Sequence, residues 1–265
     1  MAFLQHIKPS VRALDQYSVK GKKLSPELIK LNQNENPLDI PEDLKRELLE
    51  EFSRVQWNRY PEVFPTELLE ALSVSHNNPV EGIIAANGSN ELMYTILMAI
   101  VGRGTKVLIP TPTFFLYEKI TRVLEGEVLD VSMKADFSFD VEAIISTAKN
   151  EKPSLIILNS PNSPTGQSLA VSDVERILDK TDAIVIVDEA YIEFSDKPSV
   201  QPLLNKFDKL VVLRTFSKAF SLAGLRVGYL LTQPALCAEI LKPKIPFTVN
   251  NLSQFVAVKL LQKTD

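Results

Sequence analysis

Seven short runs rich in Val, Ile, Leu and Ala, apolar at most positions, constrain the fold of this chain more than any other feature. They occupy residues 82–86, 106–109, 127–131, 154–159, 183–187, 210–214 and 227–231. A strand with one solvated face alternates apolar and polar residues, whereas a strand covered on both faces reads as a nearly continuous apolar run. The segments between the runs have helical spacing. In 43–52, Leu44, Leu48, Leu49 and Phe52 form one stripe among Glu and Lys. Ser89-Asn90-Glu91 opens a helix expected to reach Ile100, with Gly102 and Gly104 just beyond it, and Ser172 to Glu175 has the S-x-x-E form of a capping box. A last helix is expected over 251–262. Strands alternating with helices predict an α/β three-layer sandwich around a mainly parallel seven-stranded sheet. Residues 1–40, with Pro9, Pro26 and Pro37, read as an N-terminal arm and part of a smaller domain, which leaves 41–265 as the large domain.

Composition narrows the chemistry. A net charge of −4 with scattered basic residues gives no electrostatic reason to expect nucleic acid or an acidic membrane as a partner. Cys237 is the one cysteine in 265 residues, so an intrachain disulfide and a cysteine-rich zinc site are both excluded. His6 and His76 lie far apart and outside metal-ligand spacing, and they read as surface or packing residues. No apolar run is long enough for a signal core or a membrane span, so the chain reads as a reduced cytoplasmic protein.

Four junctions that follow the apolar runs carry the polar residues of interest. Asp188 comes directly after the run 183–187, at the edge where α/β sheets place ligands, although an isolated Asp there more often caps the next helix. Thr215-Phe216-Ser217-Lys218 follows the run 210–214, with Arg226 eight residues beyond the lysine. A lysine among Phe216, Phe220 and Leu222 is partly desolvated, which favours its nucleophilic free base. Alone it reads as a solvated loop lysine; beside Ser217 and Arg226, both able to bind a phosphate dianion, it reads as functional. Asn159-Ser160-Pro161-Asn162-Ser163-Pro164-Thr165-Gly166 is a rigid polar turn. Gly88-Ser89-Asn90 opens a helix whose first amides suit an anion. Jointly these supply an amine for imine formation, a carboxylate for a pyridinium nitrogen and several phosphate donors, a set that fits pyridoxal phosphate.

These segments, together with Leu31-Asn32-Gln33-Asn34-Glu35-Asn36-Pro37, Asn58-Arg59-Tyr60-Pro61 and Pro112-Thr113-Phe114, resemble the class I/II aminotransferases of fold type I, most closely their histidinol-phosphate branch. The resemblance runs through nearly the whole chain in order. It implies pyridoxal 5'-phosphate held as a Schiff base on Lys218, which then serves as acid and base. It further implies Asp188 at the pyridinium nitrogen, Tyr191 at the phenolic oxygen and Phe114 stacked on the ring. Ser89, Asn90, Ser217 and Arg226 would bind the phosphate, and Tyr60 would reach the phosphate of a neighbouring subunit in a homodimer. Tyr17 and Asn34 would line the substrate pocket. Where the family commonly carries asparagine before the Pro-Thr-Gly turn, this chain has Ser163, a shorter donor at the same place.

The implied reaction is transfer of an amino group between L-histidinol phosphate and 2-oxoglutarate, small molecules both. An aromatic-amino-acid aminotransferase and a threonine-phosphate decarboxylase are the alternatives on this scaffold. Family members continue past the point where this sequence stops and carry an arginine there for the substrate carboxylate. The chain is therefore expected to be truncated, with an incomplete small domain, and a non-catalytic cofactor-binding fragment is a further alternative.

Overall fold

The computed structural model describes residues 2–16 and 29–263; Tyr17 lies outside them. In chain order the elements are α1 (Pro9–Arg12), α2 (Glu42–Phe52), α3 (Thr66–His76), β1 (Ile83–Ala86), α4 (Ser89–Ile100), β2 (Lys106–Thr111), α5 (Leu116–Val123) and β3 (Glu127–Ser132). They continue with α6 (Val141–Glu151), β4 (Leu155–Asn159), α7 (Val171–Lys180), β5 (Ile184–Asp188), β6 (Leu210–Thr215), β7 (Gly228–Leu231), α8 (Pro234–Leu241) and α9 (Asn251–Lys263).

All seven apolar runs become strands of one sheet, ordered β1-β7-β6-β5-β4-β2-β3. Neighbours from β6 through β3 are parallel, and β7 runs antiparallel to both β6 and β1. The central runs are apolar at successive positions because side chains alternate between the two faces and both faces are covered there. Leu158, Val187 and Val212 enter one core with Leu72, Ile144 and Ile177. Their neighbours Ile157, Ile186 and Val211 enter the other, with Ile96, Ile120 and Ile240. β3 is one of the two edge strands and exposes Glu127 and Asp130, charges that discourage pairing with another strand.

Three local expectations change. Gly82 belongs to a 3-10 turn, Val80–Gly82, and makes a close approach: a Cβ there would lie 2.3 Å from the Thr232 carbonyl oxygen. The helix expected to be capped by Ser172 begins at Val171, with extended Ala170 as its N-cap and no side-chain cap bond. Leu169 and Val174 flank that start, are both buried and enter the same core, and their packing sets where the helix begins. In α2 the stripe is narrower than the spacing implies. Leu48 and Phe52 are buried, Phe52 against the ring of Phe255 on α9, while Leu49 is 57% exposed.

Candidate active site

Parallel strands direct their C-terminal ends to one edge, and β4, β5 and β6 bring Asn159, Asp188 and Thr215 there beside a cavity of about 800 Å3. Its lining includes Asn34, Ser89, Asn90, Phe114, Ser163, Asp188, Tyr191, Ser217, Lys218 and Arg226. Residues up to 194 positions apart thus meet at one cavity, since Asn32 and Arg226 both line it. Tyr60 is not among them. It is 85% exposed, with its ring 5.1 Å from that of Phe247, so it is not a core aromatic either.

The anion corner is built by close approach of backbone. Gly88 has φ +84°, and a Cβ on it would lie 2.3 Å from Nη2 of Arg226. A Cβ on Gly228 would lie 2.3 Å from the Ser89 amide nitrogen. Only residues without a side chain let the guanidinium rest against the start of α4, where the first-turn amides of a helix lack intrahelical acceptors. Arg226 Nη1 donates to Ser217 Oγ at 3.2 Å and to the Ala223 carbonyl at 3.1 Å. A guanidinium, a serine hydroxyl and a helix N-terminus together form a cradle for a dianionic phosphate.

Lys218 is half-buried, and its Nζ donates to the Gln33 carbonyl at 2.8 Å. The same ammonium stands 5.4 Å from the centre of the Tyr191 ring. Asn34 Nδ2 donates to Tyr191 Oη at 3.1 Å, and Asn36 Nδ2 to the Ala219 carbonyl at 3.1 Å. The 33–36 segment therefore folds over the lysine loop and closes one side of the cavity.

Asp188 is 6% exposed, and burial pushes its carboxyl up to about 6. Two donors oppose that rise: Tyr117 Oη to Oδ2 at 2.8 Å and the Ala190 amide to Oδ1 at 3.1 Å. Tyr117 is itself fully buried; burial, and then the Asp188 charge, hold its hydroxyl well above the usual phenol range. Sequence reasoning missed Tyr117. The available signal was its place three residues after Phe114, at the start of α5, and the two rings meet edge to face at 5.6 Å.

The polar turn divides its labour. Buried Asn162 accepts from Thr113 Oγ1 at 2.7 Å and donates to the Pro112 carbonyl at 2.9 Å and Thr165 Oγ1 at 2.8 Å, so it braces the turn. Asn159, with its amide turned to satisfy both ends, donates to the Pro161 carbonyl at 3.0 Å and accepts from the Ser163 amide at 3.1 Å. Ser163 is left on the cavity wall. Among the described residues no group of three or more His, Cys, Asp or Glu side chains could hold a metal ion, and no helix is long and apolar enough to cross a membrane.

Comparison with known proteins agrees with this geometry. Residues 26–265 match the model of the family described as aminotransferase class I and II. A histidinol-phosphate aminotransferase from Chlorobaculum parvum is 46% identical over 256 residues, which span 97% of this chain and 72% of the relative. The structure of the histidinol-phosphate aminotransferase from Clostridium acetobutylicum superposes with a TM-score of 0.78 at 25% identity, over 87% of this chain and 68% of that one. The fold also matches that of the Sinorhizobium meliloti enzyme of the same name, solved in complex with pyridoxal-5'-phosphate, with a TM-score of 0.86 at 21% identity over 98% and 72% of the two chains. The chain belongs to the class I and II aminotransferases.

Proposed function

We propose that this chain is a pyridoxal-phosphate-dependent aminotransferase acting on L-histidinol phosphate, with 2-oxoglutarate as the amino acceptor. The observation that carries the reading is the convergence of Lys218, Asp188 and the Arg226–Ser217 pair on one cavity at the sheet edge. The residues fit the cofactor: the space that Gly88 leaves for Arg226 is a phosphate cradle, and the buried carboxylate of Asp188 needs a cation.

When bound, pyridoxal phosphate supplies an electron sink for bonds made and broken at the substrate's amine-bearing carbon. Arg226, Ser217 and the amides of Ser89 and Asn90 anchor the phosphate. Asp188 holds a proton at the pyridine nitrogen, and Tyr117 keeps that carboxylate aimed. Tyr191 and Ser163 donate towards the phenolic oxygen, and Phe114 covers one ring face. Lys218 Nζ is the amine that would hold the cofactor; displaced from it by the substrate's amine, the freed Nζ would carry the proton to and from the substrate carbon. Asn34, bonded to Tyr191, borders the substrate space, and the substrate role that the resemblance gives Tyr17 falls outside the described residues. Among the described lining residues Arg226 is the one guanidinium, and it stands at the phosphate cradle.

Residues 1–40 are assigned to an arm and part of a small domain, 41–265 to the large domain, and the cytoplasm as the compartment. Tyr60 is assigned to the cofactor phosphate of a second copy in a homodimer; its exposure together with that of Trp57, at 85% and 76%, supports a covered face there. The aromatic walls Tyr94, Phe114 and Phe115 also suit an aromatic amino acid. Comparing L-histidinol phosphate with phenylalanine as donor separates the two, and faster discharge by phenylalanine would overturn the first assignment.

A further inference from the structure

Tyr191 lies in a turn that one buried side chain holds from both sides. Arg214, on β6, is 9% exposed at its side chain. Its Nε donates to Glu189 Oε2 at 2.8 Å, and its Nη1 reaches Glu193 Oε1 at 3.4 Å. Glu189 and Glu193 stand two residues before and two residues after Tyr191. The Glu189 side chain, 1% exposed, also closes the far end of the loop: its Oε2 accepts from Ser199 Oγ at 2.8 Å and its Oε1 from the Val200 amide at 2.8 Å. Arg214 Nη2 completes the ring by donating to Ser199 Oγ at 2.9 Å. The guanidinium fork is planar and rigid, so one side chain fixes the spacing of two carboxylates and hence the direction of the residue between them.

A buried ion pair is weak grounds for a stabilising role, since well-packed apolar residues often do as well, and it is better suited to fixing one geometry. We infer that Arg214, through Glu189 and Glu193, is a positioning residue that aims the Tyr191 hydroxyl into the cavity. The inference rests on the cofactor reading above, because it assigns Tyr191 a donor role towards the phenolic oxygen. That role has a spectroscopic sign. A hydroxyl donated to the phenolic oxygen stabilises its anionic form, so losing or misdirecting it raises the pH midpoint of the visible band.

The test compares wild type, Tyr191→Phe, Glu193→Gln and the double variant, each incubated with pyridoxal phosphate and titrated by visible absorbance. Glu193 is partly exposed, so its amide variant folds even where an Arg214 variant does not; Arg214→Lys, which keeps the charge and loses the fork, is the companion where it folds. Expected is a midpoint raised by about half a pH unit in Glu193→Gln, in the direction of Tyr191→Phe, with no further rise in the double variant. Chymotrypsin cleavage after exposed Phe194, read without cofactor, is expected to quicken several-fold in Glu193→Gln as the turn loosens. A midpoint unmoved by Glu193→Gln, or one whose shift adds in full to that of Tyr191→Phe, would overturn the role given to Arg214. Absence of any band from the wild-type protein would overturn the cofactor reading itself, and this role with it.

Discussion

Asp188 is held by opposing influences, and the balance sets a pH dependence. Burial disfavours its charge, whereas Tyr117 and the Ala190 amide favour it, leaving the carboxyl at about 6 against an ordinary 3.8. Pairing with a pyridinium nitrogen requires the carboxylate. Pyridoxal phosphate should therefore bind with an affinity that falls as pH drops through 6, by up to about tenfold per pH unit from this group. The phosphate titrates nearby as well, so the diagnostic part is the share of the fall that Asp188→Asn abolishes, measured by equilibrium binding. For the fold alone the sign reverses. A carboxyl raised in the folded state contributes stability that is complete below about 3.8 and lost as pH rises through about 6. Gly88 makes a second prediction at this scale. Alanine there meets Arg226 Nη2 at 2.3 Å and takes a left-handed φ of +84°, so Gly88→Ala should weaken cofactor binding by at least about tenfold while urea unfolding stays cooperative.

Among the elements, the central strands were legible because burial on both faces shows at successive positions, as in 155–158 and 184–187, where one residue feeds one core and the next feeds the other. The loop residues at the site were legible through their types: a lysine between a serine and an arginine, and an aspartate ending an apolar run. What could not be read was pairing across distance. Tyr117 meets Asp188 across 71 residues and Asn34 meets Tyr191 across 157, and no local period encodes either contact. The start of α7 was misplaced because a polar cap signal at Ser172 lost to the burial of Leu169 and Val174. In α2 the same competition gives a contrast to measure. Leu48→Ala should destabilise by about 2–4 kcal/mol in urea unfolding, and Leu49→Ala, at a position 57% exposed, by under about 0.5 kcal/mol. Equal losses at the two positions would contradict the packing described for this helix.

At the scale of the whole molecule, one sheet carries the proposed cofactor groups at the C-terminal ends of its parallel strands while a separate apolar face remains exposed. Trp57 is 76% exposed and is the protein's one tryptophan, so its emission reports on that face alone. If a second copy covers it, the emission should shift to the blue as protein concentration rises, in step with a dimer in sedimentation equilibrium. A monomer with unchanged emission would leave Tyr60 without its assigned partner. The relatives and solved structures support the family, and the cofactor assignment rests on the lysine. The most direct measurement is to incubate the protein with pyridoxal phosphate, reduce with borohydride and map the modified peptide by mass spectrometry. A single adduct at Lys218, absent from Lys218→Ala, is the predicted result; an adduct on another lysine, or a reducible band surviving in Lys218→Ala, would contradict it.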